Sequence, residues 1–324
     1  MSKGFKFFLI SFFVSLPFWW GMNILQGDLE EFLFYQKITQ DSQILSAQLS
    51  QAFFEEKLKS PKPLIKNDIE DLNITARSAF SVLVNSSDEQ EILFEKNSNN
   101  VLPIASLTKL MTAKIVLENY DPSQLIEISK EAVAKEGDFG NLKIGEVFKA
   151  KNLLYPLLME SSNDAASALS EIISEEAFVE LMNLEAENLG LENTYFINST
   201  GLDPEEPDKK TNYSTAEDLV KLSIYLLDQD PLIWRILSFP EFNLYDESGA
   251  FHHQVQSTNK LLNSVWREKI IGGKTGWTIE ARGCLLLITK APKNRYLVSV
   301  ILGSENRFEE MQTMLEWVNS AYKY

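Results

Sequence analysis

The chain has 324 residues, 44% of them hydrophobic and 23% charged, enough to bury a substantial core in one large domain or two smaller ones. With 46 acidic and 30 basic residues its formal net charge is -16, and such a surface repels a phosphate backbone, which excludes nucleic-acid binding. One cysteine, Cys284, and two histidines, His252 and His253, are too few ligands for a His/Cys zinc site, so neither a metal nor a cofactor is expected. Cys284 stands in the run Gly-Cys-Leu-Leu-Leu-Ile and reads as a packed small hydrophobe, not a reactive thiol.

Lys3 and Lys6 precede an uncharged apolar stretch from Phe7 to about Leu25, close to the roughly 19–20 residues that a bilayer core requires. Lysines before it and Asp28, Glu30 and Glu31 after it favour a cytoplasmic N-terminus, with Trp19 and Trp20 at the outer interface. No small-x-small cleavage site follows, so residues 1–27 are expected to form a retained transmembrane signal-anchor, not a cleaved signal peptide. The chain beyond it would then be extracytoplasmic on a single-pass cell-membrane protein. Residues 28–74 form the stalk and linker: Leu29, Phe32, Leu33, Ile44, Leu45, Leu49 and Phe53 fall at loosely helical intervals, compatible with a stalk helix or a flexible tether. Ser60-Pro61-Lys62-Pro63 then breaks any helix.

A folded domain is expected over 75–324. Phe80–Val84 and Glu91–Phe94 read as a hairpin around the turn-rich Asn85–Asp88. A helix is expected from about Ser106 to Glu118. Apolar periodicity predicts further helices over Asn152–Met159, Asn163–Ile173, Glu176–Leu189 and Thr215–Leu227. Strands follow at Lys269–Lys274, Gly283–Thr289 and Tyr296–Leu302, then a last helix over Arg307–Ala321. Strands at both ends with helices between them give an α+β class: a mainly antiparallel sheet flanked by helices and interrupted by an all-helical region.

Three short segments carry chemistry. Ser106 and Lys109 stand at i and i+3, so on a helix the amine can approach the hydroxyl and take its proton. Burial would lower the lysine pKa towards a base, and a helix N-terminus would offer N–H groups to developing negative charge. Ser161, Ser162 and Asn163 sit at a loop-to-helix junction, where they serve either as helix caps or as a proton-shuttling hydroxyl and a carbonyl-binding amide. Gly272-Gly273-Lys274-Thr275-Gly276 clusters glycines on a strand, which allows a ligand's close approach. There Lys274 supplies charge and Thr275 a hydroxyl, suited to a peptide's terminal carboxylate. A phosphate loop is rejected, because the first glycine of Gly-x4-Gly-Lys-Ser/Thr is missing.

In this order and spacing the three segments match the serine–lysine, serine–asparagine and lysine–threonine–glycine set of β-lactamases and penicillin-binding proteins. The sequence resembles the low-molecular-mass penicillin-binding proteins, the D-alanyl-D-alanine carboxypeptidase family, from about Ala76 onward. Ala105–Thr112, Ser162–Ala166, Asn198–Asp203, Tyr213–Asp218 and Thr258–Leu262 carry the likeness beyond the motifs. The resemblance implies the serine β-lactamase/DD-peptidase-like fold and a peptidoglycan stem peptide as substrate, with β-lactam antibiotics as covalent inhibitors. It implies Ser106 as nucleophile, Lys109 as its base, and Ser161 with Lys274 passing a proton to the leaving D-alanine. By the same likeness Asn163 holds the substrate peptide, Thr275 and Arg307 its carboxylate, and the backbone N–H groups of Ser106 and Trp277 the oxyanion beside Gly276. Trp277 departs from the histidine common in the family, leaving a backbone donor but a different pocket rim. Many relatives continue into a β-rich second domain and a C-terminal amphipathic anchor; here the N-terminal segment would take the anchor's place.

A D,D-endopeptidase shares the whole motif set. A serine β-lactamase of class A needs an added glutamate, and Glu205 and Glu206, between Pro204 and Pro207, lack the expected spacing. Three intact motifs argue against a silent binding scaffold. A Ser-His-Asp hydrolase is excluded by the absence of Gly-x-Ser-x-Gly, with His252-His253 read as loop or strand.

Overall fold

The computed structural model describes residues 64–65, 69–85, 90–134, 141–204 and 210–323. The apolar stretch 7–25, the stalk and Glu205–Glu206 lie outside them, and among the described residues no helix is long and apolar enough to cross a membrane.

The expected hairpin forms from β1 (Ser78–Val84) and β2 (Gln90–Lys96). The chain then runs through a helical region: α1 (Lys109–Asn119), α2 (Ala150–Tyr155), α3 (Asn163–Ser170), α4 (Glu175–Asn188), α5 (Ala216–Gln229) and α6 (Pro231–Leu237). A hairpin of β3 (Glu241–Tyr245) and β4 (Phe251–Gln256) follows, then β5 (Ile270–Thr278), β6 (Arg282–Ala291), β7 (Arg295–Ser304) and α7 (Arg307–Ala321). The main sheet is antiparallel in the order β5-β6-β7-β1-β2, so its last three strands close onto a hairpin laid down nearly two hundred residues earlier. Leu64–Ile65, inside the stretch read as linker, pairs antiparallel with Tyr322–Lys323.

Both faces of this sheet are covered, which explains why β6 and β7 read as unbroken apolar runs. Phe80, Val82, Leu286, Ile288, Val298 and Val300 pack on the side of the helical region. Their neighbours Ala79, Leu83, Leu285, Leu287, Leu297 and Ile301 point the other way, onto Met311, Met314, Leu315 and Val318 of α7. Cys284 is buried in the first of these cores, and burial pushes its thiol up to about 11, as a packed hydrophobe requires. On the opposite side of that core, α1 is buried all round from Lys109 to Val116.

Three expectations are corrected in detail. The α-helix begins at Lys109, and Ser106 lies in a preceding 3₁₀ turn, Ala105–Thr108. The helix expected to Met159 changes at Pro156 into a π turn, Pro156–Glu160, because the proline has no N–H for an α-helical bond. The strand expected to stop at Lys274 continues to Thr278, and the hairpin of β3 and β4 was not foreseen.

Glu310 fastens α7 to the sheet: its carboxylate accepts from the backbone of Thr75 and Ala76 and from the Ser304 hydroxyl. Burial alone would raise its pKa, but these bonds outweigh it and hold the carboxyl below its ordinary 4.5. That stabilisation is complete above pH 4.5 and disappears as pH falls through the lower folded value. Glu310→Gln should therefore unfold more easily at pH 7, by about 1–3 kcal/mol, and the difference should shrink in acid. Denaturant titrations of both proteins from pH 7 to 3 test this; a difference that stays constant with pH refutes it.

Candidate active site

The 3₁₀ turn that carries Ser106 is held by the backbone on either side. Ala105 adopts a left-handed conformation, φ 46°, which is unfavourable without glycine and marks a site fixed by its surroundings. Those surroundings approach to contact: a Cβ on Gly201 would lie 2.2 Å from the Ala105 carbonyl oxygen, and one on Gly276 would lie 3.1 Å from the Ser106 nitrogen. The glycines at 201 and 276 thus let a loop and β5 close on the nucleophile turn from two sides.

Three residues per 3₁₀ turn bring Lys109 above Ser106, with Nζ 3.0 Å from the Ser106 Oγ. The amine is fully buried and also lies 2.8 Å from Asn163 Oδ1 and 2.5 Å from the Thr200 carbonyl oxygen. Desolvation, aided by the charge of Lys274, drives its pKa well below the ordinary 10.5. A neutral amine has two N–H donors and one lone pair. Nζ stands within donating distance of Ser106, Asn163 and Thr200; once it has lost a proton, two of these contacts keep a donor and the third, at Ser106, meets the lone pair. The geometry is that of a base poised on a nucleophile.

The second segment separates into two roles. Ser162 is the N-cap of α3, accepting from the Ala165 N–H at 3.1 Å. Ser161 is not the N-cap. At the end of the π turn it takes a left-handed conformation, φ 65°, and its hydroxyl accepts from Lys274 Nζ at 2.8 Å. Asn163, the first residue of α3, reaches Lys109. One junction therefore feeds both lysines.

Lys274, Thr275, Gly276 and Trp277 lie on β5, an edge strand whose alternate backbone groups find no partner in β6. Lys274 is fully buried, and burial followed by the charge of Arg307 lowers its pKa to about 7. Thr275 shares a hydrogen bond of 2.6 Å with Thr258. The Trp277 side chain is 62% exposed and, with Ile279, forms an apolar rim. Arg307 starts α7 against Gly283, the register partner of Trp277; its guanidinium Nε is buried with no hydrogen-bond partner among the described residues. The structure thus brings Lys109 to Ser106 and Asn163, Lys274 to Ser161, and the strand at Gly276 to the Ser106 turn, with Arg307 near enough to act on Lys274.

Several supports were not read from the sequence. Asp203 accepts from the Thr278 hydroxyl and the Glu280 N–H, tying its loop to the end of β5. Asn212 bonds Thr108, Ile197 and Asn198, fixing the loop that offers the Thr200 carbonyl. His252 and His253 lie on β4 beside a register shift; their Nε2 atoms stand 3.1 Å from Glu146 and Glu160, and the latter immediately precedes Ser161. Such partners come from distant chain positions with unremarkable local sequence.

A buried lysine whose folded pKa is lowered binds its proton less tightly than the unfolded chain does, so stability rises with pH between the two values. For Lys274 that window runs from about 7 to 10.5. Lys274→Met should remove this part of the rise, giving a smaller gain in denaturation midpoint from pH 7 to 9.5 than the unaltered protein. An equal gain in both would mean that Lys274 is solvated.

Residues 65–306 match the family model of D-alanyl-D-alanine carboxypeptidases. The chain is 31% identical over 253 residues to a D-alanyl-D-alanine endopeptidase of Pseudomonas aeruginosa, covering 74% of this chain and 77% of that one. It is 30% identical over 274 residues to the D-alanyl-D-alanine carboxypeptidase DacF of Bacillus subtilis, covering 82% of this chain and 68% of the relative. Among solved structures, cefotaxime-bound penicillin-binding protein D2 of Listeria monocytogenes superposes with a TM-score of 0.66 at 29% identity, over 78% of this chain and 100% of that one. The fold, the paired lysines around a serine and these matches agree: the chain belongs to the D-alanyl-D-alanine carboxypeptidase family of serine peptidases.

Proposed function

We propose that the protein removes the terminal D-alanine from peptidoglycan stem pentapeptides through an acyl-enzyme on Ser106. The observation that carries this is the buried Lys109 amine, within hydrogen-bond reach of the Ser106 hydroxyl, Asn163 and the Thr200 carbonyl. Ser106 Oγ attacks the carbonyl carbon of the penultimate D-alanine as its proton passes to Lys109. The backbone N–H groups of Ser106 and Trp277 hold the oxyanion. When the C–N bond breaks, the leaving amine takes a proton through Ser161 and Lys274, whose pKa of about 7 suits transfer near neutrality. Asn163 orients the substrate peptide, and Thr275 and Arg307 receive its carboxylate. Water then hydrolyses the ester.

Cleavage of crosslinks is the second reading, favoured by the endopeptidase relative in Pseudomonas aeruginosa. β-Lactams would acylate the same serine, as expected for a relative of a protein crystallised in a cefotaxime-bound form. We also assign the catalytic domain to the outer face of the cell membrane, tethered by residues 1–27; the lysine-flanked apolar stretch supports this. Protease treatment of intact spheroplasts should digest the domain, and its protection would overturn the orientation.

A fluorescent penicillin should label the protein with a long-lived adduct, and Ser106→Ala should abolish labelling. Lys109→Ala should slow acylation by at least about 100-fold, the usual scale of general-base catalysis. D-Alanine release from an uncrosslinked pentapeptide, measured beside cleavage of a crosslinked dimer, decides between the two readings. Rapid loss of label with antibiotic turnover would instead identify a β-lactamase.

A further inference from the structure

The hydroxyl of Thr258 has two neighbours and one proton. Its Oγ1 lies 3.1 Å from the Met159 carbonyl oxygen, which already accepts the Thr258 backbone N–H at 2.9 Å. Its other neighbour is Thr275 Oγ1 at 2.6 Å. A Thr258 proton on the Met159 carbonyl goes with a Thr275 proton on Thr258, whereas a Thr258 proton on Thr275 leaves the Thr275 proton free to turn outward; the oxygen positions fit both. In the first arrangement the hydroxyl assigned to the substrate carboxylate has its only donor turned inward, and Thr275 is itself buried.

We propose that Thr258 is a positioning residue that makes Thr275 a carboxylate donor by reversing this two-hydroxyl chain. The inference rests on the reading above, in which Thr275 receives the terminal carboxylate. On binding, the Thr275 O–H rotates to a carboxylate oxygen. The Thr258 O–H swings from Met159 to Thr275, replacing the donor that Thr275 has turned outward. The Met159 carbonyl keeps its shorter bond, from the Thr258 N–H. The chain has two hydroxyl bonds before binding and two after, no proton changes oxygen, and no buried group is orphaned. A donor that is itself hydrogen-bonded through its oxygen is polarised and binds an anion more strongly.

The same segment carries the link to the other half of the site. Met159 lies in the π turn that ends at Ser161, and Thr275 follows Lys274, so Thr258 joins the turn of one proton-transfer residue to the strand of its partner. Carboxylate recognition is thereby read by a residue outside all three motifs. A carboxypeptidase must distinguish a free terminal carboxylate from an amide, and Thr258 enhances that contrast.

The test uses the full chain and two probes, an N-acylated D-Ala-D-Ala peptide and its C-terminal amide. The ratio of kcat/KM for acid over amide is measured in the unaltered protein, Thr258→Val and Thr258→Ser, with melting temperature recorded for each. Thr258→Val should lower the ratio about tenfold, the scale of one hydrogen bond to a charged group, with the loss mainly in KM for the acid. Thr258→Ser, which keeps the hydroxyl, should restore the ratio. Should the valine protein be unstable, Thr258→Ala supplies the same comparison. An unchanged or increased ratio in the folded valine or alanine variant overturns the inference while leaving the carboxylate reading intact. No preference for the acid in the unaltered protein removes that reading and the inference together.

Discussion

A lysine amine without water must find its partners in the protein, and the arrangement around Lys109 meets that demand with three oxygens from separate parts of the chain. Asn163 comes from the start of α3, the Thr200 carbonyl from a loop closed by glycine, and Ser106 from the preceding turn. Remove the burial and the amine is an ordinary ammonium, with no lone pair to accept a proton. The lowered pKa is therefore a property of packing. It needs α1 enclosed on every side and β5 pressed against the serine turn.

The second lysine extends the same logic to the other wall of the cleft. Burial lowers the pKa of both lysines, with Lys274 adding to the effect on Lys109 and Arg307 to that on Lys274. The protein as a whole is strongly acidic. Local composition and net charge differ, because the acidic residues are mostly solvated while these basic groups share a desolvated space.

Two irregularities of backbone position the hydroxyls. Ala105 and Ser161 are left-handed without being glycine, one just before the nucleophile and the other bearing the hydroxyl held by Lys274. Pro156 starts the π turn that delivers Ser161, and Ser162 caps the helix beyond it. Regular helix through this region would rotate Ser161 away from Lys274. Strain at these points is maintained by hydrogen bonds and close contacts from β4, β5 and the loop at Gly201.

The amino-acid sequence by itself determined the class of fold, the hairpin, the span of the last helix and the three reactive segments, since each rests on local periodicity or short spacing. Ser106 and Lys109 stand three apart, and their approach needs only one turn of helix. Tertiary structure alone decided which of Ser161 and Ser162 is the N-cap, because both have the same local propensity and only the position of Lys274 separates them. It also decided that Lys109 is buried with a lowered pKa, that Thr258 meets Thr275, and that His253 meets Glu160. Those contacts join residues 17 to 93 positions apart, and they depend on how the sheet closes across the helical region, for which no short stretch of chain carries a signal.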